Sequence, residues 1–388
     1  MSVAAGSKSA ALGPWPSVQV AREFVRCLVD GQNVQPLPRV DPAALATWLE
    51  EQQLGPLAHA ASRDTWPELA RKLQEDVYLA AADAEIRLRR LQGVLSALSV
   101  AKIPVVLLKG AALAGFAYDE AMRRTMSDLD LWLRGEDMPA AITVLQQHGF
   151  NLVGKQERPL QLQSLGRGEV QLSDSAGGDS AGGLVELHWS PFKGWWLRRT
   201  AYVEDDLVWG RSEAIYPQTS VARLMATEDM IVHLAVHLSV NHQFGLHAVR
   251  GLVDMALVAK ARPVRWGLVA ERANHWRVAT AVWMGLDLLQ KMIGAPEASE
   301  ALQQLQPSRL RRSALQRLVS PRQLLAGNDL RNSKVRHLLL LLMVDRPRDM
   351  LRIVYRTIWP EGEWLAARYQ NGSNRWRHLW AVLRHGQI

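Results

Sequence analysis

Apolar residues recur at helical spacing through Leu69, Leu73, Val77, Leu79, Ile86, Leu88, Leu91 and Leu95, which predicts helices over 21–100. A proline-bearing segment, 36–42, separates the first helix from the others. The period changes at Lys102. Ile103, Pro104, Val105, Val106, Leu107 and Leu108 form a short aliphatic run, read as a buried strand ended by Lys109-Gly110. Residues 111–118 read as a helix. Residues 128–133 alternate acid and aliphatic as a second strand would, and 138–148 is a helix closed by Gly149. Further strands are expected near 151–153, 160–165 and 184–189, with a Gly/Ser-rich loop over 173–183. From about 220 the chain reads as helical, punctuated by Pro263, Pro296, Pro307 and Pro360. The expected class is α+β. A loose lead-in (1–20) and a helical region (21–100) precede a small mixed-sheet core (101–215), and a basic helical region (216–388) follows.

Composition narrows the class. Hydrophobic residues make up 48% of the chain and charged ones 22%, an ordinary globular balance. The longest apolar run, 338–344, is far short of the ~20 residues that cross a bilayer. No basic start with an apolar stretch marks a secretory signal. The single cysteine, Cys27, reads as a core residue and fits a reducing cytoplasm. There is no Walker pattern, and Gly177-Gly178 and Gly182-Gly183 do not form a dinucleotide fingerprint at a strand–helix junction. The 15 tryptophans suggest no function.

Charge is unevenly placed. Residues 301–388 hold 16 Arg or Lys against five acids, a local +11 in a chain of net +8. This is either a solvated helical face or a surface for an anion such as a nucleoside triphosphate, RNA or an acidic peptide.

The chemistry concentrates on Ser127-Asp128-Leu129-Asp130-Leu131. Residues two apart in a strand face the same side, so Asp128 and Asp130 project together while Leu129 and Leu131 face the core. Adjacent carboxylates repel unless a cation lies between them, and oxygen ligands of this kind suit Mg²⁺ or Mn²⁺. Two such metals about 3.5–4 Å apart activate a hydroxyl and stabilise a leaving pyrophosphate. Glu186, framed by Val185 and Leu187, can add a third carboxylate to that face, with Glu169, Asp174 and Asp179 as competitors. His188, two residues on, faces the same side and is placed to orient the acid or touch a base. A D-x-D pair alone is as readily a solvated strand end. Lys109-Gly110 upstream and Arg124 four residues before Asp128 shift the balance toward phosphate binding.

Other candidates carry bland readings beside sharp ones. Asp229, His233 and His237 share a helical face with metal-like spacing. They suit better a helix capped by Thr227 and packed toward the site or another helix, with His237 a candidate substrate contact. His242 and His247 fall in a loop. Arg250 and Asp254 are read as an i,i+4 ion pair, Lys193 as a weak phosphate candidate, and Trp195-Trp196 as packing or a base-stacking pair.

Together, Leu107 to Leu113, Tyr118, the run Arg124 to Leu133, Gly149-Phe150 and Glu186-Leu187-His188-Trp189 resemble the bacterial "uncharacterised nucleotidyltransferase" family of the polymerase-β-like superfamily. Thr227-Glu228-Asp229, His233, His237, Arg250, Asp254, Trp359-Pro360 and Arg368-Tyr369 follow in the expected order, so the resemblance spans most of 50–370. It implies a minimal nucleotidyltransferase core. Asp128, Asp130 and Glu186 would be the metal-binding and catalytic acids, and Lys109, Gly110, Arg124 and Ser127 the nucleotide-binding residues. Lys109-Gly110 stands where the superfamily has Gly-Gly or Gly-Ser, and Ser127 replaces a common glycine. The implied reaction moves a nucleoside monophosphate from an NTP, expected to be ATP, to a hydroxyl of a small molecule, peptide natural product or protein, with Mg²⁺ or Mn²⁺. An RNA- or tRNA-modifying toxin and a non-catalytic nucleotide-binding partner of a biosynthetic enzyme are the alternatives.

Overall fold

A computed structural model of the chain describes residues 12–153, 168–174, 184–216, 219–245, 247–327, 333–369 and 375–385. The expected strand at 160–165 and most of the 173–183 loop, Asp179 included, lie outside these residues.

Among the described residues the sheet has seven strands: β1 (Val105–Leu107), β2 (Asp128–Trp132), β3 (Phe150–Leu152), β4 (Glu169–Asp174), β5 (Leu184–His188), β6 (Glu213–Tyr216) and β7 (Thr219–Leu224). Their order is β3-β4-β5-β2-β1-β7-β6. β2–β5 and β1–β7 pair in parallel and the other neighbours antiparallel, so the sheet is mixed. Alternation along β2, β4 and β5 divides this sheet by chemistry. Leu129, Leu131, Val170, Leu172, Val185 and Leu187 form one face and are buried. Asp128, Asp130, Glu169, Gln171, Glu186 and His188 form the other. Burying each large aliphatic side chain contributes roughly 1.5–3 kcal/mol, and a one-residue slip would forfeit the whole row.

Helices flank the sheet. α1 (Val18–Asp30), α2 (Pro42–Glu51), α3 (Gly55–Ser62) and the 34-residue α4 (Pro67–Val100) precede it. α4 packs on β7 and on α6 (Met138–Gln147). It also braces β2: the Arg87 guanidinium pairs with Asp83 and donates to the Ser127 carbonyl at 2.9 Å, fixing the residue before Asp128. Helices Thr227–Val236, Ala248–Ala261, Trp266–His275 and Ala279–Met292 pack together after the sheet.

The structure departs from expectation in several places, among them β4 and β6, two strands that no expected element covers. The helix after β1, α5, is Lys109–Leu113 rather than 111–118. Residues 219–224 are a strand, not the start of the helical region, so the sheet runs past 215. Lying between β1 and β6, and with Val221, Ala222 and Leu224 all buried, β7 lacks the alternation that marks a half-exposed strand. Thr227 starts the next helix without capping it.

Candidate functional site

Register builds the acidic row. Across the parallel β2–β5 pairing, Asp130 lies opposite Glu186 and Trp132 opposite His188. Across β4–β5, Glu186 lies opposite Gln171 and His188 opposite Glu169. Asp130, Glu169, Glu186 and His188 are all buried at 2% exposure or less. The His188 Nε2 is 2.8 Å from an Asp130 carboxylate oxygen, and its Nδ1 is 3.7 Å from Glu169. The Gln171 amide donates to Glu186.

Two lysines neutralise these acids. Lys109 Nζ pairs with Asp130. Its reach follows from the backbone, because the Leu108 N–H donates to the Asp130 carbonyl and sets residue 109 at the strand end. Lys109 has a left-handed φ of 47°, a conformation that costs a non-glycine residue energy and recurs at functional sites. The next residue must be glycine, since a Cβ on Gly110 would stand 2.8 Å from Met126 Cβ. Lys193 Nζ bridges Glu186 at 2.6 Å and Glu169 at 2.9 Å, and lies 4.0 Å from Asp130. Asn241 holds its carbonyl at 3.0 Å.

The two aspartates differ electrostatically. Burial, then the charges of Asp130 and Glu186, raise the Asp128 carboxyl above its ordinary range. Burial pushes Asp130 up too, but Lys109, His188 and Lys193 outweigh it and hold Asp130 well below. Glu186 is likewise lowered: burial and Asp130 oppose ionisation, and Lys193 and His188 prevail. Among the described residues, Asp128 is the acid of this row with no lysine on its oxygens, and the Ser127 hydroxyl donates to it at 3.0 Å.

These residues line a cavity of about 550 Å³ whose other wall is helical. There the helix ending at Val236 passes into one π-turn, His237–Asn241, an insertion that re-aims side chains and often marks function. It turns His237, Asn241 and His242 into the cavity, which His247 and Arg250 complete. The Nε2 atoms of His237 and His242 are 2.8 Å apart. Burial and the nearby Lys109 push His237 well below the usual histidine range and His242 down to about 4. Both rings are therefore neutral near pH 7, and one donates to the other.

The structure thus gathers Asp128, Asp130, Glu186, Lys109, Gly110, Ser127 and His237 at one cavity, with His188 in the acidic row behind it. Arg124 reaches the cavity edge, but its guanidinium is committed to Asp254 in a two-point ion pair at 2.7 and 2.8 Å, with Tyr118 donating to the same carboxylate at 2.8 Å. This corrects the expected Arg250–Asp254 pair: the partner comes from 130 residues upstream, which helical spacing does not reveal. Asp229 is held by Arg211 and Arg272, so it is no metal ligand beside His233. Asp174 faces Arg90 instead of the acids. Trp195 lies under the Arg199 guanidinium, 4.3 Å from its ring centre. Lys193, expected as a weak phosphate candidate, and Glu169, expected as a competitor for the third acid, both join the acid cluster. A Phe-Lys-Gly turn just after the Glu-x-His strand was the available signal for the lysine.

The Asp130, Glu186 and His188 donor atoms all lie within 4.8 Å of one another. Two carboxylate oxygens beside Asp128 are hard donors of the kind that fit Mg²⁺ or Mn²⁺, while the His188 ring nitrogen is already hydrogen-bonded to Asp130. A family model described as uncharacterised nucleotidyltransferase matches residues 38–294, which takes in the sheet, the acidic row and the π-turn. No curated protein and no solved structure matches the chain.

Proposed function

The chain belongs to the uncharacterised nucleotidyltransferase family, and from that premise we propose that it is a metal-dependent enzyme of the polymerase-β-like superfamily. It moves a nucleoside monophosphate from an NTP, with ATP the expected donor, to an acceptor hydroxyl and releases pyrophosphate. The observation that carries this reading is the register pairing of Asp130 with Glu186, with Asp128 beside them and lysines on both sides. Asp128, Asp130 and Glu186 would hold Mg²⁺ or Mn²⁺. When bound, that ion supplies charge to offset the phosphates and acidifies the acceptor hydroxyl.

The chain's own residues do the rest. His188 holds the Asp130 carboxylate in one orientation through the 2.8 Å hydrogen bond, as residues behind a metal ligand commonly do. Lys109 and Lys193 are ammonium groups within the acid cluster, positioned to meet charge that develops on phosphate oxygens. The acceptor O–H gives its proton to a carboxylate of the acid row, Glu186 being the expected one, its oxygen bonds to the α-phosphorus, and the bond from that phosphorus to the bridging oxygen of the pyrophosphate breaks. Phosphoryl chemistry of this type depends mostly on positioning and charge, and strand-mounted acids provide both. The acceptor is a small molecule, peptide natural product or protein, and a reducing cytoplasm is the expected setting.

The test is incubation of the full chain with each labelled NTP, Mg²⁺ or Mn²⁺ and cell extract, beside the Asp128→Ala/Asp130→Ala double variant. Label transfer or pyrophosphate release by the parent chain alone supports the reading. Equal release by both proteins removes it.

A further inference from the structure

Four cations line the cavity among its described residues: Lys109, Arg124, Lys193 and Arg250. Three have carboxylate partners: Asp130 for Lys109, Glu186 and Glu169 for Lys193, and Asp254 for Arg124. Arg250 makes no ion pair among the described residues. Its one hydrogen bond is a long 3.5 Å contact to the Thr125 carbonyl, and its Nε is buried without a partner. It also stands beside Arg124, whose guanidinium already takes both oxygens of Asp254. Burial, then the Arg124 charge, lower Arg250 to about 10, which leaves it a cation near pH 7.

A half-buried cation held in no ion pair is poorly compensated, and a site of this kind is relieved by an anion. The guanidinium is a planar fork that matches two phosphate oxygens at once. The acids across the cavity define where a metal-bound phosphate chain would begin. A nucleoside triphosphate carries more negative charge than one divalent ion offsets, and the surplus falls on the terminal phosphates. Resting on the nucleotidyltransferase reading, we propose that Arg250 binds the β- and γ-phosphates of the incoming NTP, the part that leaves as pyrophosphate. It is a substrate-binding residue supplied by the helical wall rather than by the sheet.

Binding without turnover tests this. The full chain, with Arg250→Met and Arg250→Lys variants, is titrated calorimetrically with each NTP, the matching monophosphate and inorganic pyrophosphate at fixed Mn²⁺ and salt. Arg250→Met weakens NTP and pyrophosphate binding ten- to a hundredfold and monophosphate binding less than threefold. Arg250→Lys keeps the charge, loses the fork, and falls between. Free Arg250→Met unfolds no lower in temperature than the parent, because no ion pair is lost, and pyrophosphate no longer raises that temperature. Should Arg250→Met fold poorly, the lysine variant reads the same selectivity. Unchanged NTP and pyrophosphate affinity in both variants overturns the proposal and leaves the nucleotidyltransferase reading standing. So does an equal loss for monophosphate and triphosphate. Failure of the parent chain to bind any NTP or pyrophosphate overturns both.

Discussion

Asp130 and Glu186 face each other across the parallel β2–β5 ladder, one directly opposite the other. Their separation is therefore set by backbone hydrogen bonds and not by a loop. Strand-mounted groups hold geometry more tightly than loop-mounted ones, and the aliphatic row on the reverse face fixes the register that aligns them.

Asp128 and Asp130 should respond oppositely to neutralisation. Asp130→Asn strips the carboxylate from Lys109 and His188 in a buried setting, and breaking a buried pair costs about 3–5 kcal/mol. Asp128→Asn removes a crowded like charge whose ionised form the fold disfavours, so the free protein is no less stable. Both variants lose pyrophosphate release by roughly a hundredfold or more. Urea unfolding and a pyrophosphate assay measure the two effects. Equal destabilisation would contradict the division of roles.

Lys193 sits where a cation is wanted, between Glu186 and Glu169. Lys193→Met leaves those acids uncompensated, so the melting temperature without metal falls. Added Mn²⁺ then restores more than it adds to the parent chain, because binding to the folded state stabilises by RT ln(1 + [L]/Kd) and the competing ammonium is gone. Thermal unfolding with and without Mn²⁺ reads this directly. An Mn²⁺ increment no larger than in the parent would place the metal elsewhere.

Sequence made the acidic strands legible because alternation and the D-x-D and E-x-H spacings are local. Gly149 closing its helix was legible for the same reason. Glu169 joins the site through the β4–β5 pairing, and Arg124 finds Asp254 from far away. Neither leaves a local trace. Arg250 was misread because an i,i+4 acid looked like its partner, and only the fold shows that acid already taken. Strand β7 escaped for a different reason: flanked by β1 and β6, with Val221, Ala222 and Leu224 all buried, it shows no simple alternation.

Gly110 is held to glycine by contact rather than by its dihedral angles. Gly110→Ala drives a Cβ to 2.8 Å from Met126 Cβ, so one backbone must move. Overpacking of this kind costs typically 1–3 kcal/mol. Because Lys109 is the neighbour, activity falls more than stability alone explains, and its kcat should drop under conditions where the variant is fully folded. Steady-state kinetics well below the melting temperature decides. Wild-type kcat there would mean the turn tolerates the shift.

His233 gives the pH dependence its sign. The ring is buried between Phe192 and His237, stacked at 6.3 and 6.1 Å. Burial, then Lys109, push it down to about 3. The unfolded chain takes up that proton near 6.5, and the folded chain refuses it until about 3. Between those values the unfolded state binds more protons, so stability falls as pH drops, by up to ~1.4 kcal/mol per pH unit for this group. The contribution is fully present above 6.5. His233→Phe keeps a ring in the stack and removes the titration. Its urea midpoint should decline less than the parent's between pH 7 and pH 5, while the remaining slope reports His237 and His242, which are also held neutral. Parallel curves for the two proteins would show that His233 is not what makes the fold acid-sensitive.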